Sequence, residues 1–285
     1  MSSQGVAINV RMAAELERTE QVRAKIQIKN PLLRNALSEF FGTFLLLFIG
    51  IGIVMQFILS NEKLNTWINI NLGWGLAIAF CVYLCSKTSG GHFNPAVSIA
   101  FLTLGKLPLK DFLVYCVVQT IGAALGSLAA FGLYYDQFNK FAGAFRTIIG
   151  TKATAGCFCS YPALHVSNTT AFFDQRNGIP AAAHPLLFGL VVMMIGTAYG
   201  MNLGYPINPA RDLGPRLISF FIYGSGVFSY HSYYFWIPVI APLFGAIVGA
   251  WSYTFFVGAH IPEQRETTYV LVDEANQPLK LATDA

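Results

Sequence analysis

A repeated tripeptide constrains this chain more than any other feature. Asn94-Pro95-Ala96 and Asn208-Pro209-Ala210 each follow an apolar run, and each begins 19 residues beyond a glycine, Gly75 and Gly189 respectively. The runs open alike, as Trp74-Gly75-Leu76 and Phe188-Gly189-Leu190. They approach the triplets through Gly90-Gly91-His92-Phe93 and Gly204-Tyr205-Pro206-Ile207. One such triplet is a weak signal; two at one offset, each behind a hydrophobic segment, specify an internal repeat. Asn is a strong N-cap and Pro suits the first helical position, so each triplet starts a helix. The residues that follow, Val97–Leu104 and Leu213–Ile222, supply about half a membrane thickness of helix.

Composition enters because such helices need a bilayer around them. Of 285 residues 54% are hydrophobic and 11% charged, against about a quarter charged in soluble domains. Runs long enough to span, or nearly so, are Leu37–Leu59, Leu72–Cys85 with its flanks, Phe112–Tyr135, Leu186–Leu203 and Tyr234–Val257. Glycine pairs four residues apart (Gly122 with Gly126, Gly196 with Gly200, Gly245 with Gly249) predict close helix packing. Arg11, Arg18, Arg23, Lys25, Lys29 and Arg34 precede the first span, and Lys106 and Lys110 flank the third. The positive-inside rule therefore puts the N-terminal tail, 1–35, in the cytosol. Residues 136–175 then form an outer loop, where the sequon at Asn168 is a glycosylation candidate. The polar tail 258–285 is read as cytosolic, and no cleavable signal peptide is expected.

The charge of +4 is spread out, without the basic stripe nucleic acid requires. The five cysteines form no disulfide framework and no metal-ligand cluster, so no metal or cofactor is expected. No acid–base dyad or nucleophile–His pair appears at useful spacing, which argues against an enzyme. Two half-helices of an inverted repeat instead aim their positive ends at one midplane point. Each Asn offers an amide there, and the unwound backbone before it lines the path with carbonyls.

These residues resemble the aquaporin, or major intrinsic protein, family, in its aquaglyceroporin and glycerol-facilitator branch. The resemblance runs from about Leu37 to Val257 and implies an all-α membrane fold: an inverted-repeat bundle with two half-helices and a channel domain over 36–257. It implies a passive pore for glycerol and water, and for urea and similar small neutral solutes. It also implies a homotetramer, a plasma-membrane location and no cofactor. Arg211 matches the outer selectivity filter, together with Trp74, Tyr205 and Gly196, the last standing where water channels have a histidine. Gly90, Gly91, His92, Phe93, Gly204, Pro206 and Ile207 match the carbonyl-lined loops. Asp212, Arg216, Pro238 and Val239 match positions that separate glycerol channels from strict water channels. Glu39, inside the first span, matches a structural acid that accepts hydrogen bonds from a pore loop.

The second half departs from the pattern. Glu39 precedes Asn94 by 55 residues, whereas the matching opening at Asp174 precedes Asn208 by 34, a deficit of 21, or about one membrane helix. The fourth span is therefore expected to be missing near 175/176, leaving about five spans instead of six. Two readings follow: a conducting glycerol channel, or a truncated subunit that does not conduct and assembles with or inhibits full-length partners.

Overall fold

The first spanning helix starts where its cap dictates. Asn30 accepts a hydrogen bond from Leu33 N at 3.1 Å and Pro31 occupies the first turn. The helix therefore runs Pro31–Leu59, beginning six residues ahead of the apolar run. The computed structural model describes residues 18–143, 146–162, 165–169 and 185–261, and in these the chain is all helix and loop. A short helix over residues 18–26 (α1) precedes Pro31–Leu59 (α2). Then come Trp67–Ser89 (α3), the half-helix Pro95–Thr103 (α4), Leu109–Leu133 (α5) and Tyr135–Ala142 (α6). Pro185–Tyr199 (α7), the half-helix Pro209–Tyr223 (α8), Gly226–Tyr233 (α9) and Ile237–Phe256 (α10) complete the order.

Helices α2, α3 and α5 and the run Gly226–His260 are long and apolar enough to cross a membrane. Helix α7 is apolar but has 15 residues, about 22 Å of rise against a hydrocarbon core of roughly 30 Å. The proposed gap near 175/176 lies outside the described residues. The final span is less regular than its hydropathy implies. His231, Ser232 and Tyr233 adopt left-handed backbone, and a 3-10 turn at Tyr234–Trp236 precedes α10. Through Trp251 the chain forms one compact unit. Residues from Ser252 form a second, with the last turn of α10 and a 3-10 turn at Gly258–His260.

Glycines set how closely the first unit's helices approach. Helices α3 and α7 cross at Gly75 and Gly189, the two positions equivalent in the repeat. A Cβ on Gly189 would lie 2.3 Å from the Gly75 carbonyl oxygen, and one on Gly75 would lie 2.6 Å from that of Gly189. The crossing point therefore sits where the two halves meet. Gly122 and Gly126 do the same for α5 on α2, where added Cβ atoms would come within 2.4 Å of Phe40 O and 2.3 Å of Phe44 O. Gly196 and Gly200 differ from the expectation of helix-on-helix contact. Their missing side chains make room for the Tyr205 and Trp67 rings. Half-helix α4 packs Ala96 and Ala100 on Ala246 and Ala250 of α10.

Outward-facing side chains are apolar and follow the repeat. Leu72, Leu76 and Phe80 of α3 are exposed, as are Leu186, Leu190 and Met194, each 114 positions later on α7. The inner faces do not match so well: Trp74, Ala77 and Ile78 are buried, whereas their counterparts Phe188, Val191 and Val192 are half-buried.

Gly189→Val should overpack the α3–α7 crossing and cost about 1–3 kcal/mol. Gly132→Ala, with nothing within 4 Å of the added Cβ, should be neutral or slightly stabilising. Thermal unfolding of the detergent-solubilised variants checks both, the first by a lower Tm and the second by an unchanged or higher one.

Candidate functional site: a midplane pore

The two triplets meet, and they hold each other. Asn94 caps α4 by accepting from Ala96 N at 2.8 Å, and Asn208 caps α8 by accepting from Ala210 N and Arg211 N. Each amide then donates across the repeat: Asn94 Nδ2 to Ile207 O at 3.1 Å, and Asn208 Nδ2 to Phe93 O at 2.8 Å. The acceptors are the residues immediately before the opposite asparagines. Each side-chain amide carries two N–H groups, so one bond across leaves a second donor. Both asparagines line a narrow cavity of about 70 Å³. Two further pairs share its wall at equal distances ahead of each asparagine, Trp74 with Phe188 and Ile78 with Val192. Leu46 of α2 lines it too, and among the described residues has no repeat counterpart. Pro95, Ala96, Pro209 and Ala210 are buried behind the asparagines.

Of the four residues proposed as a filter, Trp74, Tyr205 and Arg211 line this cavity, and Gly196 stands behind the Tyr205 ring. The Arg211 guanidinium lies 5.1 Å from the Trp74 ring, and its Nη1 donates to Phe158 O at 3.1 Å. A planar cation on an aromatic face is held in direction as well as position. Tyr205 stands edge-on to Trp67 at 6.1 Å, and Trp67 Nε1 donates to Gly196 O at 3.3 Å. Gly196 is what admits the tyrosine: a Cβ there would lie 2.5 Å from the ring and 2.4 Å from Asn71 Oδ1. The Asn71 side chain and the Tyr205 hydroxyl are buried there with no protein partner among the described residues.

The first pore loop hangs on a buried carboxylate. Glu39 Oε1 accepts from Ser89 Oγ at 2.7 Å and His92 N at 2.9 Å; Oε2 accepts from Phe93 N at 2.7 Å and Gln119 Nε2 at 2.9 Å. Four donors on one carboxylate explain how an acid is tolerated mid-helix in a membrane. Gly90, Gly91 and Phe93 adopt left-handed backbone, which turns the loop back on itself and aims Phe93 O at Asn208. Gly42 leaves space for the Phe93 ring, 2.1 Å from where a Cβ would stand. The His92 ring packs in this hub rather than in the cavity wall, with Nδ1 3.1 Å from Ser98 Oγ and its face 4.5 Å from Phe101.

Residues 26–253 match the profile of the major intrinsic protein family. The chain belongs to that family. Among its relatives it is 37% identical to human Aquaporin-9 over 87% of this chain and 90% of that one. It is 42% identical to Aquaporin-10 of Milnesium tardigradum, over 83% of this chain and 66% of that longer protein. Among solved structures, the aquaglyceroporin from Plasmodium falciparum superposes with a TM-score of 0.69 at 30% identity, covering 78% of this chain and 95% of that one. These matches put the chain in the aquaglyceroporin branch, among multi-pass membrane channels and not enzymes.

This aquaglyceroporin holds its second pore loop differently from its first. Pro206 has no N–H, and Ile207 N donates within the loop to Tyr205 O at 2.8 Å rather than to a carboxylate. Gly204 N donates to Gly200 O, at the end of α7. The charged hub of this half lies on α8 instead. Asp212 stands four residues after Asn208, as Ser98 stands four after Asn94. Arg216 donates to Asp212 Oδ1 through Nε at 2.8 Å and Nη2 at 2.7 Å, to Val227 O and to Ser160 O. Asp212 Oδ2 accepts from Ser160 N and Oγ. This buried pair ties the loop at Ser160 to α8, two residues from Phe158, the residue that holds Arg211. Thus Asp212 and Arg216 act on the proposed filter through a loop, without facing the cavity.

Pro238 is buried at the start of α10 and Val239 is half-buried, neither in the cavity wall. Asn168 is half-buried with Nδ2 3.4 Å from His231 O. The five cysteines are free, and the described residues hold no metal-ligand cluster. Spacing did not point to Trp67, Gln119, Phe158 or Ser160. Of the supporting residues only Ser98 could have been found, through its offset shared with Asp212.

Glu39→Gln replaces two acceptor oxygens by one and turns an amide toward donors, so it should destabilise by about 3 kcal/mol or more. Arg216→Met should cost about 3–5 kcal/mol by leaving Asp212 buried without its cation. Both are read as loss of thermal stability. Combining Arg216→Met with Asp212→Leu should restore a substantial part of the second loss.

Proposed function

We propose that this chain is a passive conduit for glycerol and water, and for similar small neutral solutes such as urea, across the plasma membrane. The reading rests on the room that Gly196 leaves beside Tyr205. With an imidazole there the tyrosine ring could not keep its place; with glycine, Trp74 and Tyr205 present two apolar surfaces near one guanidinium. A polyol slides its carbon chain along such surfaces while its hydroxyls accept from Arg211 and donate to loop carbonyls. The carbonyls of Gly90, Gly91, His92, Phe93, Gly204, Pro206 and Ile207 form that track in this reading. The spare amide N–H groups of Asn94 and Asn208 meet the solute at mid-bilayer. Arg211 and the positive ends of α4 and α8 repel cations along the path. The apolar stripes repeated on α3 and α7 support packing against lipid and against further copies of the subunit, as in a homotetramer.

Purified protein in liposomes tests the proposal. Under an inward glycerol gradient, reswelling should exceed that of empty vesicles severalfold, and equality with empty vesicles would sink the conducting reading. Gly196→Ala should lower glycerol flux at least fivefold by displacing Tyr205. Adding Tyr205→Ala to that variant should restore part of the flux, because the ring is gone while Asn71 Oδ1 still meets the added Cβ. A Gly196→Ala variant with unaltered flux would show that the tyrosine is not part of the constriction.

A further inference from the structure

A second cavity shares no lining residue with the pore cavity and lies at the end of the bundle that the charge asymmetry assigns to the cytosol. Helix α1, the linker after it and the start of α2 stand beside the C-terminal end of α3 and enclose a groove of about 790 Å³. Among the described residues its lining contains three cations, Arg23, Arg34 and Lys87, and no Asp or Glu. On α2, Arg34 is followed by Leu37 and Phe41, three and seven residues on, which places all three on one face. On α3, Leu84 precedes Lys87 by three residues, again one face. Both helices thus present the same order, a cation outermost and apolar side chains toward the bilayer interior. Leu37, Phe41 and Leu84 are 53%, 49% and 50% exposed, so the described residues leave this apolar floor uncovered. Arg23 is paired with Glu20 at 3.0 Å on the solvent side, while among the described residues Arg34 and Lys87 meet no carboxylate.

We propose that this groove binds an anionic phospholipid of the cytosolic leaflet. Arg34 and Lys87 hold the phosphate, Arg23 covers it from α1, and an acyl chain lies along Leu37, Phe41 and Leu84. The charge order selects the ligand. A free phosphate would satisfy the cations but leave the floor unused. A zwitterionic choline headgroup would bring its own cation against three others. Basic residues near a membrane surface each favour anionic lipid, and the two that meet no carboxylate give a preference on the order of 30-fold at low salt, shrinking as salt screens it.

The test uses the full-length protein in mild detergent, titrated separately with dioleoylphosphatidylserine, dioleoylphosphatidylcholine and inorganic phosphate. Retention is read by native mass spectrometry and protection by thermal unfolding. Phosphatidylserine should be retained and should raise Tm at concentrations at least tenfold below phosphatidylcholine, with inorganic phosphate giving no comparable rise. Arg34→Gln with Lys87→Gln should abolish the preference while leaving the lipid-free Tm unchanged. Lys106→Gln with Lys110→Gln, on the same membrane face but outside the groove, should keep it. Phe41→Ser with Leu84→Ser should weaken retention without removing the preference for the anionic headgroup. Equal retention of the two lipids, an intact preference in the Arg34 and Lys87 variant, or protection by phosphate alone would each overturn the proposal. None of these outcomes depends on whether the pore conducts glycerol.

Discussion

The structure is organised around unwound backbone placed at membrane depth. Two chain segments leave helical geometry inside the bilayer, and each exposes peptide groups that hydrocarbon cannot satisfy. The two asparagines answer most of that demand together. Each caps its own half-helix and at the same time donates to the carbonyl just before the other, Asn94 to Ile207 and Asn208 to Phe93. Each half-helix is thereby tied to the loop that precedes the other. The Gly75–Gly189 crossing of α3 and α7 lets the two halves come close enough for this exchange.

What remains is handled unequally in the two halves. In the first, Glu39 takes four donors on one carboxylate and presses the loop against α2. In the second, a proline removes one donor, an internal turn consumes another, and the charged groups move to α8. There Asp212 and Arg216 clamp Ser160, and the neighbouring Phe158 carbonyl orients Arg211. Leu46 and Glu39 both belong to α2, and neither has a described counterpart in the second half. The half-buried state of Phe188, Val191 and Val192, against the burial of Trp74, Ala77 and Ile78, is the same asymmetry seen from α7.

Much of this was legible in sequence because it depends on periodicity and local chemistry. The capping role of each asparagine follows from Asn-Pro at a helix start, and the meeting of the half-helices follows from two equal offsets. The tiers of the cavity wall are likewise visible as equal spacings ahead of Asn94 and Asn208. Helix ends were less visible: α2 starts at Pro31 because Asn30 caps it, although the apolar run begins only at Leu37. The pair Gly196 and Gly200 reads like a helix-packing motif, and spacing cannot distinguish a neighbouring backbone from a neighbouring ring. Trp67, Gln119 and Ser160 carry no pattern at all, since their importance comes from partners far along the chain: Tyr205 and Gly196, Glu39, and Asp212 and Arg216.

By itself, then, the sequence determined the solvent, the repeat, the two half-helices and the residues that cap them. All of these follow from hydropathy, spacing and the conformational preferences of Asn, Pro and Gly. Only the tertiary structure decided which donors meet which acceptors: that the capping amides cross over, that Glu39 holds the first loop, that Gly196 yields its space to Tyr205, and that a buried ion pair works on Arg211 through a loop carbonyl. A hydrogen bond needs its partners within about 3 Å in a defined direction. Nothing in linear spacing sets that distance until the helices have packed.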